Sequence, residues 1–131
     1  MTTDLISRGL ITLGLFGAGW LVPHLLKHFS LQRTLSKVRG LPGYSPGRPT
    51  VVYFTTPDCV ACQVQKPVIA RLQEKVQGPL QIVEIDAASH PDLARDWKVL
   101  SVPMTFILDS RGIPRYVNYG LTYTNQLYAQ I

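Results

Sequence analysis

Cysteine is scarce in this 131-residue chain: there are two, at positions 59 and 62. A disulfide scaffold needs more cysteines, spread along the chain. A structural zinc site needs four ligands, and two cysteines with three scattered histidines (His24, His28, His90) supply that poorly. No Met-rich or His-rich tract points to metal handling. Charge is also thin, at 16% of residues, yet the chain is 46% hydrophobic and so does not read as disordered. Internal repeats and low-complexity tracts are absent, which leaves one compact domain with a short appendage.

Acidic residues are few, eight against thirteen basic ones, and the imbalance is local. Residues 1–47 carry Arg8, Lys27, Arg33, Lys37 and Arg39 against Asp4 alone, whereas residues 48–131 are nearly neutral. A nucleic-acid footprint requires a basic face on the domain itself, so no nucleic-acid partner is expected.

One long apolar run is present. Gly9 to Leu26 (GLITLGLFGAGWLVPHLL) carries no formal charge over eighteen residues. As a helix it would reach about 27 Å, near the hydrocarbon thickness of a bilayer. Trp20 and His24 lie toward one end, where amphipathic rings favour the interface. The reading is a single transmembrane anchor over 1–28, with the lipid bilayer as partner. A cleaved signal peptide with Gly17-Ala18-Gly19 as its small-residue site, and a buried soluble helix, are the alternatives. Lys27, Arg33, Lys37 and Arg39 follow the run, so the C-terminal domain is expected on the cytoplasmic side of a cell membrane; the alternative is extracytoplasmic. Residues 29–49 read as a linker, basic and then rich in Pro and Gly.

The domain spans 50–131. Thr50–Thr56 is β-branched and aromatic, hence a strand. From Cys59 a helical ridge is expected along Val60, Val64, Val68, Leu72 and Val76, ended by Gly78-Pro79. Leu80–Asp86 is a second strand. Ser89, Pro91 and Asp92 open a short helix to about Trp97. Met104–Asp109 and Arg115–Tyr119 are strands joined by a turn at Ser110-Arg111-Gly112. A last helix holds Leu127, Tyr128 and Ile131. The order β-α-β-α-β-β-α defines an α/β fold with a mixed sheet and helices on both faces. Trp97 is assigned to the core, His90 to a helix entry, Glu84 and Asp86 to a strand end, and Tyr116, Tyr119, Tyr123 and Tyr128 to packing on the hairpin and last helix.

Cys59-Val60-Ala61-Cys62 falls where a strand gives way to a helix. Unpaired N–H groups and the helix dipole at that end stabilise a thiolate. The i, i+3 spacing puts both sulfurs on one helical face, within disulfide reach. Cys59, at the exposed end, is the expected nucleophile, and Cys62, one turn in, the resolving thiol. A lone CxxC is also compatible with a copper(I) or shared zinc site, or with inert thiols; its place inside a βαβ pattern favours redox chemistry.

Residues 48–131 resemble the thioredoxin superfamily. CVAC stands where that family keeps its active-site pair, and Pro67 matches its helix-kinking proline. Ser101-Val102-Pro103-Met104 matches its cis-proline loop, and Gly112 and Gly120 match two of its glycines. The tethered arrangement is similar to bacterial membrane-anchored thioredoxin-like proteins. The resemblance implies a cis Val102–Pro103 bond beside the two sulfurs and a substrate-binding loop of Val102, Pro103 and Met104. Taken alone, Pro103 would read as a trans proline opening an edge strand. Three departures carry consequences. Asp58 replaces the tryptophan that usually precedes the first cysteine, and its carboxylate disfavours the Cys59 thiolate. Asp58 is thus expected to bias the pair toward a reductant, and Val60, Ala61 and Pro67 are the other positions expected to modulate it. Tyr53 stands in place of a buried aspartate and is expected to pack rather than act as a base. Met104 replaces a frequent threonine and is expected to make the docking groove more apolar. The family's first strand and helix are not evident before residue 48, so a sheet short at one edge is expected.

The functional expectation is a thiol–disulfide oxidoreductase acting on protein disulfides or dithiols, fed by an upstream electron donor and using no cofactor. The alternatives are the same chemistry on the outer face of the membrane, on cytochrome or secreted-protein thiols, and a non-catalytic or copper-binding module.

Overall fold

A computed structural model describes residues 37–131, together with Gly19, Val22 and Pro23. The chain divides into two units, Met1–Thr34 and Leu35–Ile131, and the second holds all the elements below. The expected transmembrane anchor therefore lies, but for those three positions, outside the described residues. Among the described residues no helix is long and apolar enough to cross a membrane.

The elements follow the order read from the sequence: β1 Thr50–Thr55, α1 Val60–Lys75, β2 Gln81–Asp86, α2 Pro91–Asp96, β3 Met104–Leu108, β4 Pro114–Tyr119 and α3 Thr124–Ala129. The sheet runs β2-β1-β3-β4. β1 pairs in parallel with β2, Val52 opposite Val83, and antiparallel with β3, Val52 opposite Phe106. β3 and β4 form an antiparallel hairpin. Among the described residues β2 is an edge strand, as the missing first strand implied.

Every residue of β1 is buried, because both faces of the sheet are covered. Its side chains alternate between two cores. Val52 and Phe54 join Val83, Ile85, Phe106 and Trp97 on the α2 side. Val51 and Tyr53 join Ile107, Ile69, Leu72 and Leu127 on the α1 and α3 side. Phe54, Phe106 and Trp97 form an aromatic triangle with ring centroids 4.9 to 6.0 Å apart.

Part of the expected linker belongs to the domain. Residues 37–39 are helical and bring Val38 into the α2-side core, with Leu41 behind it. The Ser45 N–H donates to Gln81 Oε1 at 3.0 Å, and the Gly47 N–H to the Ser110 carbonyl at 3.1 Å. Gly112, at φ +79°, lies so close under Tyr44 and Val38 that a Cβ there would stand 2.6 Å from the tyrosine oxygen. The Pro/Gly composition suggested an irregular tether; Val38, Leu41 and Tyr44 supply apolar surface that fastens residues 37–49 to the sheet.

The ridge expected on α1 holds in its later part, at Val68 and Leu72, but not at its start. Val60 is 77% exposed and Val64 is also on the surface, whereas Cys62, Gln65, Val68, Ile69 and Leu72 are buried. The buried stripe starts from Cys62, and Gln65 occupies an inward position because its amide finds partners there (below). The four tyrosines assigned to packing are also largely on the surface: Tyr116, Tyr119, Tyr123 and Tyr128 are all exposed, and Tyr128 lies under the Lys75 ammonium, 4.5 Å from ring centroid to nitrogen. Glu84 lies within β2 rather than at its end, while Asp86 does close the strand.

Candidate active site

β1 ends at Thr55, and Thr56-Pro57-Asp58 turn the chain so that Cys59 becomes the N-cap of α1. Cys59 and Cys62 form a disulfide with Cα atoms 5.2 Å apart. The Cys59 sulfur also accepts the Cys62 N–H at 3.1 Å, meeting one of the unpaired donors of the helix start. Cys59 is partly exposed, and Cys62 is 1% exposed. The outer sulfur is therefore the one a second protein can reach.

The Val102–Pro103 bond is cis. The loop it shapes faces the pair: the Val102 carbonyl oxygen lies 3.7 Å from the Cys59 sulfur. The Pro103 carbonyl accepts the Gly120 N–H at 2.9 Å, which ties this loop to the end of β4. Val102 is partly buried and Pro103 buried. Met104 is 2% exposed and packs in the α2-side core, so its side chain does not line the open surface as expected. The register of β3 turns it inward, opposite Phe54 and Tyr119. Apolar surface beside the pair comes instead from Val60, next to Cys59, while Leu100, two residues before Val102, is 90% exposed and lines a separate cavity with Val102. Asp58 and Ala61 are exposed next to Cys59, and Pro67 lies inside α1 on its exposed side.

Three features of the site were not read from the sequence. Tyr53, buried in the α1-side core, donates its hydroxyl to the Cys62 carbonyl at 2.8 Å. Burial pushes its phenol up from the ordinary range, so it remains a donor at neutral pH. Gln65, fully buried, donates to the Thr122 carbonyl at 2.9 Å and accepts the Thr122 N–H at 2.7 Å. A polar side chain at i+3 from Cys62 was the available signal, hidden by the valine ridge. Lys66 pairs with Glu84 at 2.9 Å, and both line a cavity of about 300 Å³ onto which Cys62 opens.

A sulfur at a helix start, a shielded partner one turn deeper and a cis-proline loop against the first define a dithiol–disulfide centre on an α/β scaffold. The pattern that defines the thioredoxin family matches residues 44–130, and this chain belongs to the thioredoxin family. It carries the family's thiol–disulfide oxidoreductase centre at Cys59 and Cys62. A thioredoxin-like protein of Synechocystis sp. is 27% identical over 84 residues, 64% of this chain and 79% of that protein. The chloroplastic thioredoxin Y1 of Arabidopsis thaliana is 31% identical over 67 residues, 51% of this chain but only 38% of that protein. Among solved structures, the thioredoxin-2 described as a component of the malaria parasite protein secretion machinery superposes with a TM-score of 0.61 at 23% identity. That match covers 66% of this chain and 82% of the other, and it speaks to the fold alone.

Proposed function

We propose that this protein is a protein-disulfide reductase held at a membrane by its N-terminal apolar run, with the thioredoxin-like domain on the cytoplasmic side. The observation that carries the chemistry is the Cys59–Cys62 disulfide at the start of α1, facing the cis Val102–Pro103 loop. The anchor rests on the uncharged stretch Gly9–Leu26 and the basic residues that follow it.

In the reduced state the Cys59 thiolate attacks one sulfur of a substrate disulfide. A Cys59–substrate bond forms and the other substrate sulfur leaves as a thiolate. Cys62 then attacks the Cys59 sulfur, the Cys59–substrate bond breaks, and the second substrate sulfur leaves. The substrate gains two electrons and the pair loses two; an upstream dithiol donor restores the pair by the same exchange. An extended substrate segment would lie along Val102, between exposed Val60 and Leu100. The exposed Asp58 carboxylate beside Cys59 works against a very acidic thiol, which favours reduction over oxidation.

The full-length Cys62→Ser variant tests the chemistry. It should accumulate mixed disulfides through Cys59 that a reducing agent dissolves, and the Cys59→Ser variant should trap none. Stoichiometric bound copper(I) with no trapped partner would replace this reading with a metal-binding one. A C-terminal reporter active only in the cytoplasm tests the orientation: silence from it, with an export-dependent reporter active, would place the domain outside.

A further inference from the structure

We infer that Glu84, held by Lys66, takes the proton of the Cys62 thiol, through water in the cavity beside it, as Cys62 resolves the mixed disulfide. The inference rests on the thiol–disulfide reading above. A thiol that is 1% exposed attacks as a thiolate only if its proton has somewhere to go. The cavity beside Cys62 is lined by Thr55, Thr56, Gln63, Lys66, Glu84 and Asp86, and its roughly 300 Å³ accommodates several waters.

Several ionisable groups lie around this cavity. Tyr53, on β1, spends its hydroxyl on the Cys62 carbonyl, and burial keeps it protonated. Lys66, on α1, is held protonated above its ordinary range, chiefly by its hydrogen bond to Glu84. Asp86, on β2, has both carboxylate oxygens engaged within its own turn, Oδ2 by the Ser89 hydroxyl at 2.5 Å and Oδ1 by the Ala88 N–H at 2.9 Å, and these bonds lower its pKa. Asp58 precedes the helix on the exposed side, with Cys59 between it and Cys62. Glu84 remains. It sits opposite Tyr53 in the β1–β2 register, on the face that α1 covers, and its half-exposed carboxylate can pass the proton on to solvent. Lys66 is a positioning residue in this scheme: its ammonium, 2.9 Å away, holds the carboxylate at the cavity.

The proton moves from Cys62 Sγ through water to the Glu84 carboxylate. The Cys62 sulfur bonds to the Cys59 sulfur, and the substrate sulfur leaves with the electron pair of the broken Cys59–substrate bond.

The test uses the reduced full-length chain with dithiobis-nitrobenzoate, which releases one coloured thiolate when Cys59 attacks and a second when Cys62 resolves. Both phases are followed from about pH 6 to 9, around the thiol range. Glu84→Gln keeps the side chain's shape, and losing an exposed ion pair threatens folding little. It should leave the first phase unchanged and slow the second about tenfold near pH 7. The gap should close toward pH 9, where the thiol ionises unaided, and Glu84→Asp should recover the neutral-pH rate at least in part. A second phase in Glu84→Gln within about twofold of wild type, an equal slowing at every pH, or Glu84→Asp as slow as Glu84→Gln would each overturn the assignment while leaving the oxidoreductase reading intact. If the wild type releases no second thiolate, the reading itself fails.

Discussion

Gln65 and Thr122, 57 residues apart, exchange two hydrogen bonds inside the protein: the amide of one side chain satisfies both the N–H and the carbonyl of the other's backbone. The clamp joins the active-site helix α1 to the loop between β4 and α3. Two residues before Thr122, Gly120 donates to Pro103, so the same loop also touches the cis-proline segment. One buried amide thereby fixes the mutual position of the two halves of the site.

Gln65→Leu should destabilise the domain by about 2–4 kcal/mol, because it leaves two buried backbone groups without partners. Urea denaturation would measure the loss, and the Thr122 amide should exchange with deuterium much faster. A loss below about 0.5 kcal/mol would mean that the clamp contributes little beyond filling space.

Asp58→Asn removes a negative charge beside Cys59. Alkylation of reduced Cys59 should therefore be faster in the variant than in the wild type at neutral pH, because the carboxylate disfavours the thiolate. Equal rates in the two proteins would contradict a role for Asp58 in setting the reactivity of the pair.

Lys98 is the one non-glycine residue with positive φ among the described residues, at 55°. It follows the C-cap of α2, where its N–H bonds to Arg95 and the Val99 N–H bonds back to Ala94. This paired closure favours glycine at the left-handed position. Lys98→Gly should raise stability by up to about 1 kcal/mol, read as a higher urea midpoint. Unchanged or lower stability would show that the chain's added freedom when unfolded outweighs the relief.

Asp109 makes the stability of the domain depend on pH. Burial opposes its ionisation, but hydrogen bonds from the Ile113 N–H, from Arg115 and from the Arg111 N–H together outweigh burial and lower its pKa. A carboxyl depressed by folding contributes stability above its unfolded value, near 3.9, and loses it as pH falls through the folded value. Asp109→Asn should therefore be less stable than wild type by about 1 kcal/mol at pH 7. The gap should narrow below about pH 4 as the wild-type carboxyl is protonated. A gap that stays constant down to pH 2 would indicate lost packing rather than lost charge.

The paired cysteines and the strand before them were legible because each is a local signal: CxxC at a strand-to-helix turn needs only a few neighbouring residues to be recognised. The cis-proline loop was not local in this sense, since Pro103 taken alone reads as a trans proline and only the resemblance to the thioredoxin superfamily pointed to it and to Pro67. Element boundaries shifted by a residue or two at most in the strands. The start of α1 was misassigned: of the expected ridge Val68 and Leu72 are buried, but Val60 and Val64 lie on the surface, and Cys62, Gln65 and Ile69 take inward positions that hydrophobic spacing alone did not single out.

The sequence by itself determined the fold class and the chemistry, because secondary-structure periodicity and the i, i+3 cysteine spacing are properties of short stretches of chain. Only the tertiary structure decided which residues at the start of α1 face the sheet, that residues 37–49 close over the β-sheet, and that Glu84 and Asp86 share a cavity with Cys62. Those outcomes depend on contacts such as Lys66 to Glu84 and Gln65 to Thr122, between residues 18 and 57 positions apart. A partner that far along the chain leaves no mark on local composition, since its proximity is fixed by the parallel register of β1 and β2 and by the path of the loop after β4.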